Sequence, residues 1–403
     1  MTWYSRKLQK KILQAAEMFP AVALAGARQT GKTSLLKKLF PTYNAVSLDL
    51  PSVAELAEKD PQGFLKRYPP PVLIDEVQYA PALFRHLKLA IDNNRHEMGR
   101  FILTGSQQFQ LMRDVGESLA GRIAIMELET LSVHEVTQHQ PAPQSISQYG
   151  ERIYRGGFPE LWRNTDLDPG LFYSSYLATY LERDVRQLIN ITSLRNFERF
   201  LRICATRNGQ VLQKSSLASD VGVSVPTVSE WLSVLQASNQ LVLLEPWYTN
   251  LGKRIVKSPK MYFADTGLLC HLLGIGKSDI EKTPFIGTIW ECYVFAELRK
   301  QIAQDSLSAR SGNSIWYYRD SNQLEVDFIV SGRGGQGQLI ECKWNEFPGK
   351  SDAKNLVKLR NIIQKKSPME LSTVSSHILC RTPDEFRVDA DIFAVSLSDY
   401  KMI

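Results

Sequence analysis

Short apolar runs alternating with helix-length amphipathic stretches predict an α/β fold, with a parallel sheet covered by helices in the first third of the chain. Three observations carry this reading. Residues 21–25 are an apolar run that ends at a glycine, and a helical stretch from Lys32, with Leu35, Leu36 and Leu39 on one face, follows it. Further runs at 45–50, 71–74 and 101–104 are separated by helix-like segments. Residues 315–318, 325–330, 338–343 and 376–380 then bring strand patterning back near the C-terminus. Between these sections, 8–18 and 173–189 have helical spacing, 138–147 (QHQPAPQSIS) reads as a linker or exposed loop, and 196–248 reads as a helical group closed by a strand at 241–245.

A length of 403 residues allows two to four domains. Hydrophobic residues make up 43%, ordinary for a water-soluble globular chain. The net charge of +6 and pI near 8.9 are compatible with a nucleic-acid partner without requiring one. Cys204, Cys270, Cys292, Cys342 and Cys380 are scattered, with neither CxxC nor metal-ligand spacing, and read as reduced thiols. The six histidines form no HxxxH pair, so a structural zinc site has no support. The basic N-terminus lacks the apolar stretch of a signal peptide, and no apolar run is long enough to span a bilayer. A cytoplasmic protein with no membrane partner is expected.

Gly26-Ala27-Arg28-Gln29-Thr30-Gly31-Lys32-Thr33 fits GxxxxGK[ST], with Ser34 next in the helix. Glycines let successive backbone N–H groups surround phosphates, a lysine reaches the β- and γ-phosphates, and the Thr33 hydroxyl is placed to ligate Mg2+. The competing reading is a plain Gly-rich turn, but a preceding strand and following helix favour the phosphate loop and hence ATP. Pro71-Val72-Leu73-Ile74-Asp75-Glu76 brings two carboxylates to a strand end, where open α/β sheets bind ligands. Asp75 is expected to hold Mg2+ through water and Glu76 to polarise the attacking water; acids capping a helix start are the alternative. The run ending at Thr104 and Ser106 would sit between these motifs and sense the γ-phosphate, or else be a simple strand end. Arg122, after the turn Ser118-Leu119-Ala120-Gly121, is a candidate for delivery to a neighbouring subunit's γ-phosphate, with Arg100 and Arg113 as rivals.

The series GARQTGKT, VLIDEVQ, FILTGSQ, SLAGRI, GGFPE (156–160) and YLERDV (180–185) resembles the prokaryotic AAA+ ATPases that carry a DUF4143 C-terminal region, over essentially the whole chain. The resemblance implies an AAA+ core at 1–135, a helical lid region at 136–190, and ring oligomers with arginines acting between subunits. It departs from the wider AAA+ pattern at the sensor strand, where Thr104 and Ser106 stand in place of asparagine, which leaves the sensor residue open.

In the middle, a short helix over 217–222 and a second beginning at Val225, with Ser224 as N-cap and Pro226 in its first turn, form a helix-turn-helix pattern. With strands at 241–245 and 260–263 it reads as a winged helix, spanning 191–265. On DNA, Ser224, Thr227, Ser229 and Glu230 would face the groove, and Lys253, Arg254, Lys257 and Lys260 would meet phosphates. Winged helices also serve as protein-binding or architectural modules, and Glu230 suits phosphates poorly.

Near the C-terminus, Glu341 and Lys343 share a strand face, and Asp327 on a neighbouring strand and a glutamate of an upstream helix, Glu291 in preference to Glu297, can join them around a magnesium ion. This layout, over 280–403, resembles the PD-(D/E)xK nuclease fold, although charged strand faces produce D…ExK readily and such folds are also kept for binding alone. Three functions stay open: a DNA-acting motor or repair ATPase working as a ring, a nucleotide-switched regulatory ATPase with protein partners, and an ATP-licensed defence nuclease. Salt-sensitive DNA binding separates the first from the second, and metal-dependent cleavage lost in Asp327→Ala or Lys343→Ala isolates the third.

Overall fold

The computed structural model describes residues 2–106, 118–180, 194–247, 258–305, 314–366, 371 and 373–403. Its N-terminal sheet contains β1 (Ala21–Ala25), β2 (Asn44–Ser47), β3 (Val72–Asp75), β4 (Phe101–Gly105) and β5 (Ile123–Glu127), in the order β2-β3-β4-β1-β5. All four pairings are parallel. Successive side chains leave opposite faces of a strand, so each apolar strand feeds two cores. Ala21, Ala23, Ile74, Phe101 and Leu103 pack with the helix Leu83–Asn93, while Val22, Leu24, Leu73 and Ile102 pack with the helices Gln9–Met18 and Lys32–Leu39. All five residues of β1 are buried, which is why the strand reads as one continuous apolar run.

The middle of the chain holds the helices Ile146–Arg155, Pro169–Tyr180, Leu194–Thr206, Lys214–Val221 and Val225–Ala237, followed by β6 (Leu241–Leu244) and β7 (Lys260–Phe263), an antiparallel pair. The helix Ile146–Arg155 begins inside the expected 138–147 loop, because Ser145 and Gln148 close a capping box around its first turn. Ser224 caps Val225–Ala237 by accepting from the Thr227 N–H at 3.2 Å, and Gly222 ends the preceding helix in the left-handed region.

A second sheet follows, in the order β12-β13-β11-β10-β9-β8, formed by β8 (Ser314–Arg319), β9 (Glu325–Ser331), β10 (Gln336–Cys342), β11 (Thr373–Cys380), β12 (Phe386–Asp389) and β13 (Ile392–Ser396). The helix Ile286–Asp305 lies on one face and Lys350–Lys366 on the other. The first face shares a continuous core with the middle helices, from Phe197 and Trp231 through Trp290 and Phe295 to Phe328 and Ile340. Strands β5, β12 and β13 and the helix Lys350–Lys366 go beyond the sequence expectations. β12 is a half-buried edge strand (FRVD), and the helix has a polar, lysine-rich surface that hides its apolar stripe.

The GGFPE motif is a packing joint. The Gly157 N–H donates to Asp265 Oδ2 at 2.7 Å, Leu131 N–H donates to the Gly157 carbonyl at 2.7 Å, and the Tyr173 hydroxyl donates to Asp265 Oδ1 at 2.7 Å. A Cβ on Gly156, whose φ is +66°, would lie 2.2 Å from the Tyr173 hydroxyl and 2.4 Å from Asp265 Oδ1. Only glycine admits this approach between the exit of the first sheet and the helical middle.

Candidate active site

β1 delivers the loop from Gly26 to Thr33 at its C-terminal end, and the helix Lys32–Leu39 starts inside the loop. Gly26 has φ +144° and lies so close to the chain after β5 that a Cβ would stand 2.3 Å from the Leu128 carbonyl oxygen. Lys32 is buried, and its ammonium donates to the Gly26 and Ala27 carbonyls at 2.9 Å each. Thr30 is held by its hydroxyl on the Ala27 carbonyl, 3.0 Å away. From beneath, the buried Arg6 donates to the Thr30 carbonyl at 2.9 Å and to the Glu129 carbonyl at 2.6 Å, and its Nε lies 3.1 Å from the buried Glu135 carboxylate.

The order of strands puts β4 between β1 and β3, so Thr104 and Ser106 meet the acidic strand end directly. Asp75 Oδ1 accepts from the Thr33 hydroxyl at 2.7 Å and from the Thr104 hydroxyl at 2.5 Å, and Ser47 approaches Oδ2 at 3.4 Å. Thr104 Oγ1 also accepts from the Glu76 N–H at 3.0 Å. Glu76 sits in the left-handed region at φ 55°, an uncommon state for a residue with a Cβ. Its carboxylate accepts from the Ser106 hydroxyl at 2.8 Å, the Ser106 N–H at 3.2 Å and the Gln78 amide. Burial pushes the Glu76 pKa up, but the Lys32 ammonium, the Gln78 and Ser106 hydrogen bonds and Arg28 together hold it below the ordinary glutamate range. Glu76 is therefore ionised at neutral pH. The oxygens of Thr33 and Asp75, with no nitrogen or sulfur among them, are a donor set that suits Mg2+.

Beside the loop, a cavity of about 610 Å³ is lined by Gln29, Thr30, Gly31 and Ser34 on one side and by Trp3, Tyr4, Pro159, Glu160, Arg163 and Phe172 on the other. The second group goes beyond the sequence expectations. Only the basic N-terminus and the GGFPE motif signalled it, and neither says that the fold brings them to one wall.

Arg122 lies elsewhere. Its carbonyl accepts from Ala21 N–H at the start of β1, the opposite end of the sheet from Gly26, roughly 17 Å away at the usual strand rise. Its guanidinium grips Asp92 through Nε at 2.6 Å and Nη2 at 3.0 Å. Arg100 binds the Ala90 carbonyl and Glu97 at the same edge, and Arg113 lies outside the described residues.

The AAA domain family matches residues 18–137, a domain of unknown function (DUF8612) matches 146–279, and a second (DUF4143) matches 286–400. Uncharacterized proteins of Mycobacterium bovis and Mycobacterium tuberculosis are each 31% identical over 335 residues, covering 81% of this chain and 72% of theirs. The chain belongs to the AAA-family ATPases with a DUF4143 C-terminal region. Among solved structures, a Walker-type ATPase of Pyrococcus abyssi is 18% identical, covering 67% of this chain and 96% of its own, with a TM-score of 0.44. The Thermotoga maritima RuvB Holliday junction branch migration motor is 19% identical, covering 58% and 86%, with a TM-score of 0.28.

In the ATPase's middle region, the exposed start of Val225–Ala237 carries Glu230 and no cation. Lys253, Arg254 and Lys257 lie outside the described residues. Lys260 corrects the expectation of a phosphate contact: it is 2% exposed, at the start of β7, because its ammonium is drawn inward to Glu325 at 2.6 Å and Glu291 at 3.2 Å.

Lys260 also decides how the acidic cluster is arranged. Glu291 pairs with Lys260 and accepts from the Tyr262 hydroxyl; Asp327 accepts from Cys342 N–H at 2.8 Å; Glu341 accepts from Lys343 at 3.0 Å. Burial and the neighbouring Glu341 and Glu291 raise the Asp327 pKa well above the carboxylate range, against Lys260 and the Cys342 N–H. Burial likewise raises that of Glu341 in spite of Lys343. Glu291 comes from the helix Ile286–Asp305 and acts on both Asp327 and Glu341. Among the described residues no three acidic, His or Cys side chains converge as a metal-holding set. Glu291, Asp327, Glu341 and Lys343 are thus neighbours, with the internal ammonium of Lys260 beside the carboxylates and Glu341 Oε2 buried without a hydrogen-bond partner.

Proposed function

We propose that this ATPase binds ATP at the loop from Gly26 to Ser34 and hydrolyses it as a ring oligomer that acts on DNA. The observation that carries the catalytic part is the network at the strand ends: Thr33, Thr104 and Ser47 gathered on Asp75, with an ionised Glu76 beside them. Phosphate oxygens would replace the Gly26 and Ala27 carbonyls as acceptors for Lys32, and the loop N–H groups would surround them. Thr33 and Asp75 would hold Mg2+, which neutralises charge on the phosphates. Glu76, released from Ser106 and Gln78, would orient a water on the γ-phosphate, with Thr104 keeping Asp75 in place. The cavity between the loop and Trp3, Pro159 and Phe172 is of a size and polarity for the base and ribose.

Arg122 lies far from its own chain's loop, which fits a role between subunits once Asp92 lets it go. For DNA, the helix pair ending in Val225–Ala237 with the β6–β7 hairpin supports a winged-helix reading. A regulatory ATPase with protein partners is the second reading, favoured by the lack of cations on that helix. The test is ATP turnover measured without DNA and with single-stranded, duplex and branched DNA. Stimulation by one form supports the DNA-acting reading; equal turnover throughout, with no DNA binding at low salt, overturns it in favour of the regulatory one.

A further inference from the structure

We propose that the helix Lys350–Lys366 is a docking face for the phosphate backbone of duplex DNA. The inference rests on the DNA-acting reading above, but moves the contact away from the helix Val225–Ala237. Lys350, Lys354, Lys358 and Lys365 are all exposed, and at 100° per residue they fall within an arc of about 80° together with Asn361. No carboxylate of this helix lies in that arc: its one acid, Asp352, sits about 160° from the centre and binds the Gly349 N–H. None of the four lysines is in an ion pair with a described residue, whereas Arg207, Arg299 and Lys260 are each engaged with carboxylates.

The stripe runs about 22 Å along the axis at 1.5 Å per residue. It is held in place because Ala353, Leu356, Leu359 and Ile363 on the opposite face are fully buried against the second sheet. A fixed line of cations matches a regular line of phosphates, which recur every 3.4 Å along each strand. A membrane surface fits less well, since helices that lie in the interface bury an apolar face in lipid, and here that face is spent on the sheet.

Neutralising the stripe should remove up to four counterion-releasing contacts. The test measures binding of a fluorescent 30-base-pair duplex, from 50 to 200 mM salt, to the full chain and to the K350Q/K354Q/K358Q/K365Q variant. The variant should bind more weakly at 50 mM salt, and its log–log salt slope should be shallower by about three to four. Replacing the same four lysines by arginine should keep both affinity and slope, and an unchanged melting temperature shows that the fold is intact. An unaltered slope in the glutamine variant, while wild type binds, overturns the docking face and leaves the DNA reading standing. Failure of wild type to bind this duplex overturns the docking face, and failure to bind single-stranded and branched DNA as well overturns both. Loss of binding to phosphatidylserine vesicles with duplex binding intact assigns the stripe to a membrane and overturns the proposal.

Discussion

Asp75 and Glu76 are adjacent in the chain but stand in different environments. Asp75 gathers hydroxyls at the strand end, while the left-handed backbone at Glu76 turns its carboxylate onto Ser106 and Gln78. Glu76→Gln should keep nucleotide binding and lower turnover about 10²–10⁴-fold, as steady-state and equilibrium binding assays would separate. Because the Glu76 pKa is lowered, its charge is present above the ordinary carboxylate range and is lost only as pH falls through the lowered value. Turnover should therefore stay flat through neutral pH and decline only in acid, and a decline already near neutrality would count against Glu76. Lys260 allows a stability test. Lys260→Met leaves Glu291 and Glu325 without their shared cation and should cost about 3 kcal/mol in a urea melt. Asp327 has a raised pKa, so its contribution is present at low pH and lost as pH rises through that value; Asp327→Asn should become relatively more stabilising at pH 8 than at pH 5.

At the scale of elements, the two glycines of GGFPE and the acid cap Asp265 fasten the first sheet to the helical middle. Gly156→Ala puts a methyl group into the Tyr173 hydroxyl at a positive φ, and should destabilise by about 2–4 kcal/mol from strain and overpacking together. Thermal melts of Gly156→Ala would check this, with Gly121→Ala as the comparison, since a Cβ there has no atom within 4 Å although φ is also positive. The larger loss at Gly156 is expected because only there does a steric clash add to the backbone term.

For the whole molecule, the chain just after β5 is the point where three regions meet. Leu128 supports the phosphate loop at Gly26, while Glu129 next to it accepts from Arg299 on the helix Ile286–Asp305 at 2.6 Å and from Asn239 of the middle at 3.3 Å. A shift of the loop on binding nucleotide should therefore reach the helix Ile286–Asp305. Hydrogen exchange should show ATP changing protection within Ile286–Asp305, and Arg299→Gln should weaken that response while leaving the affinity for ATP within about a factor of three. Equal responses in the two proteins would place the coupling elsewhere.

The phosphate loop, the acidic strand end and the hydroxyls of β4 could be read in the sequence because their chemistry needs certain residue types at short spacing. Their strands are buried on both faces and so stand out as apolar runs. The family could be read for the same reason, from motifs such as GARQTGKT and VLIDEVQ. What the local pattern could not contain is which distant groups share a volume. Trp3 and Phe172 are 169 positions apart and line one cavity, and Lys260 looks like a surface lysine until β7 and β9 bring it to Glu325. The D…ExK spacing brings Asp327 and Glu341 together, but the Lys260 ammonium that joins Glu291 comes from β7, which that spacing does not mention. Charge and periodicity are local properties that a chain states by itself, whereas burial and the choice of partner are set when separate segments pack together.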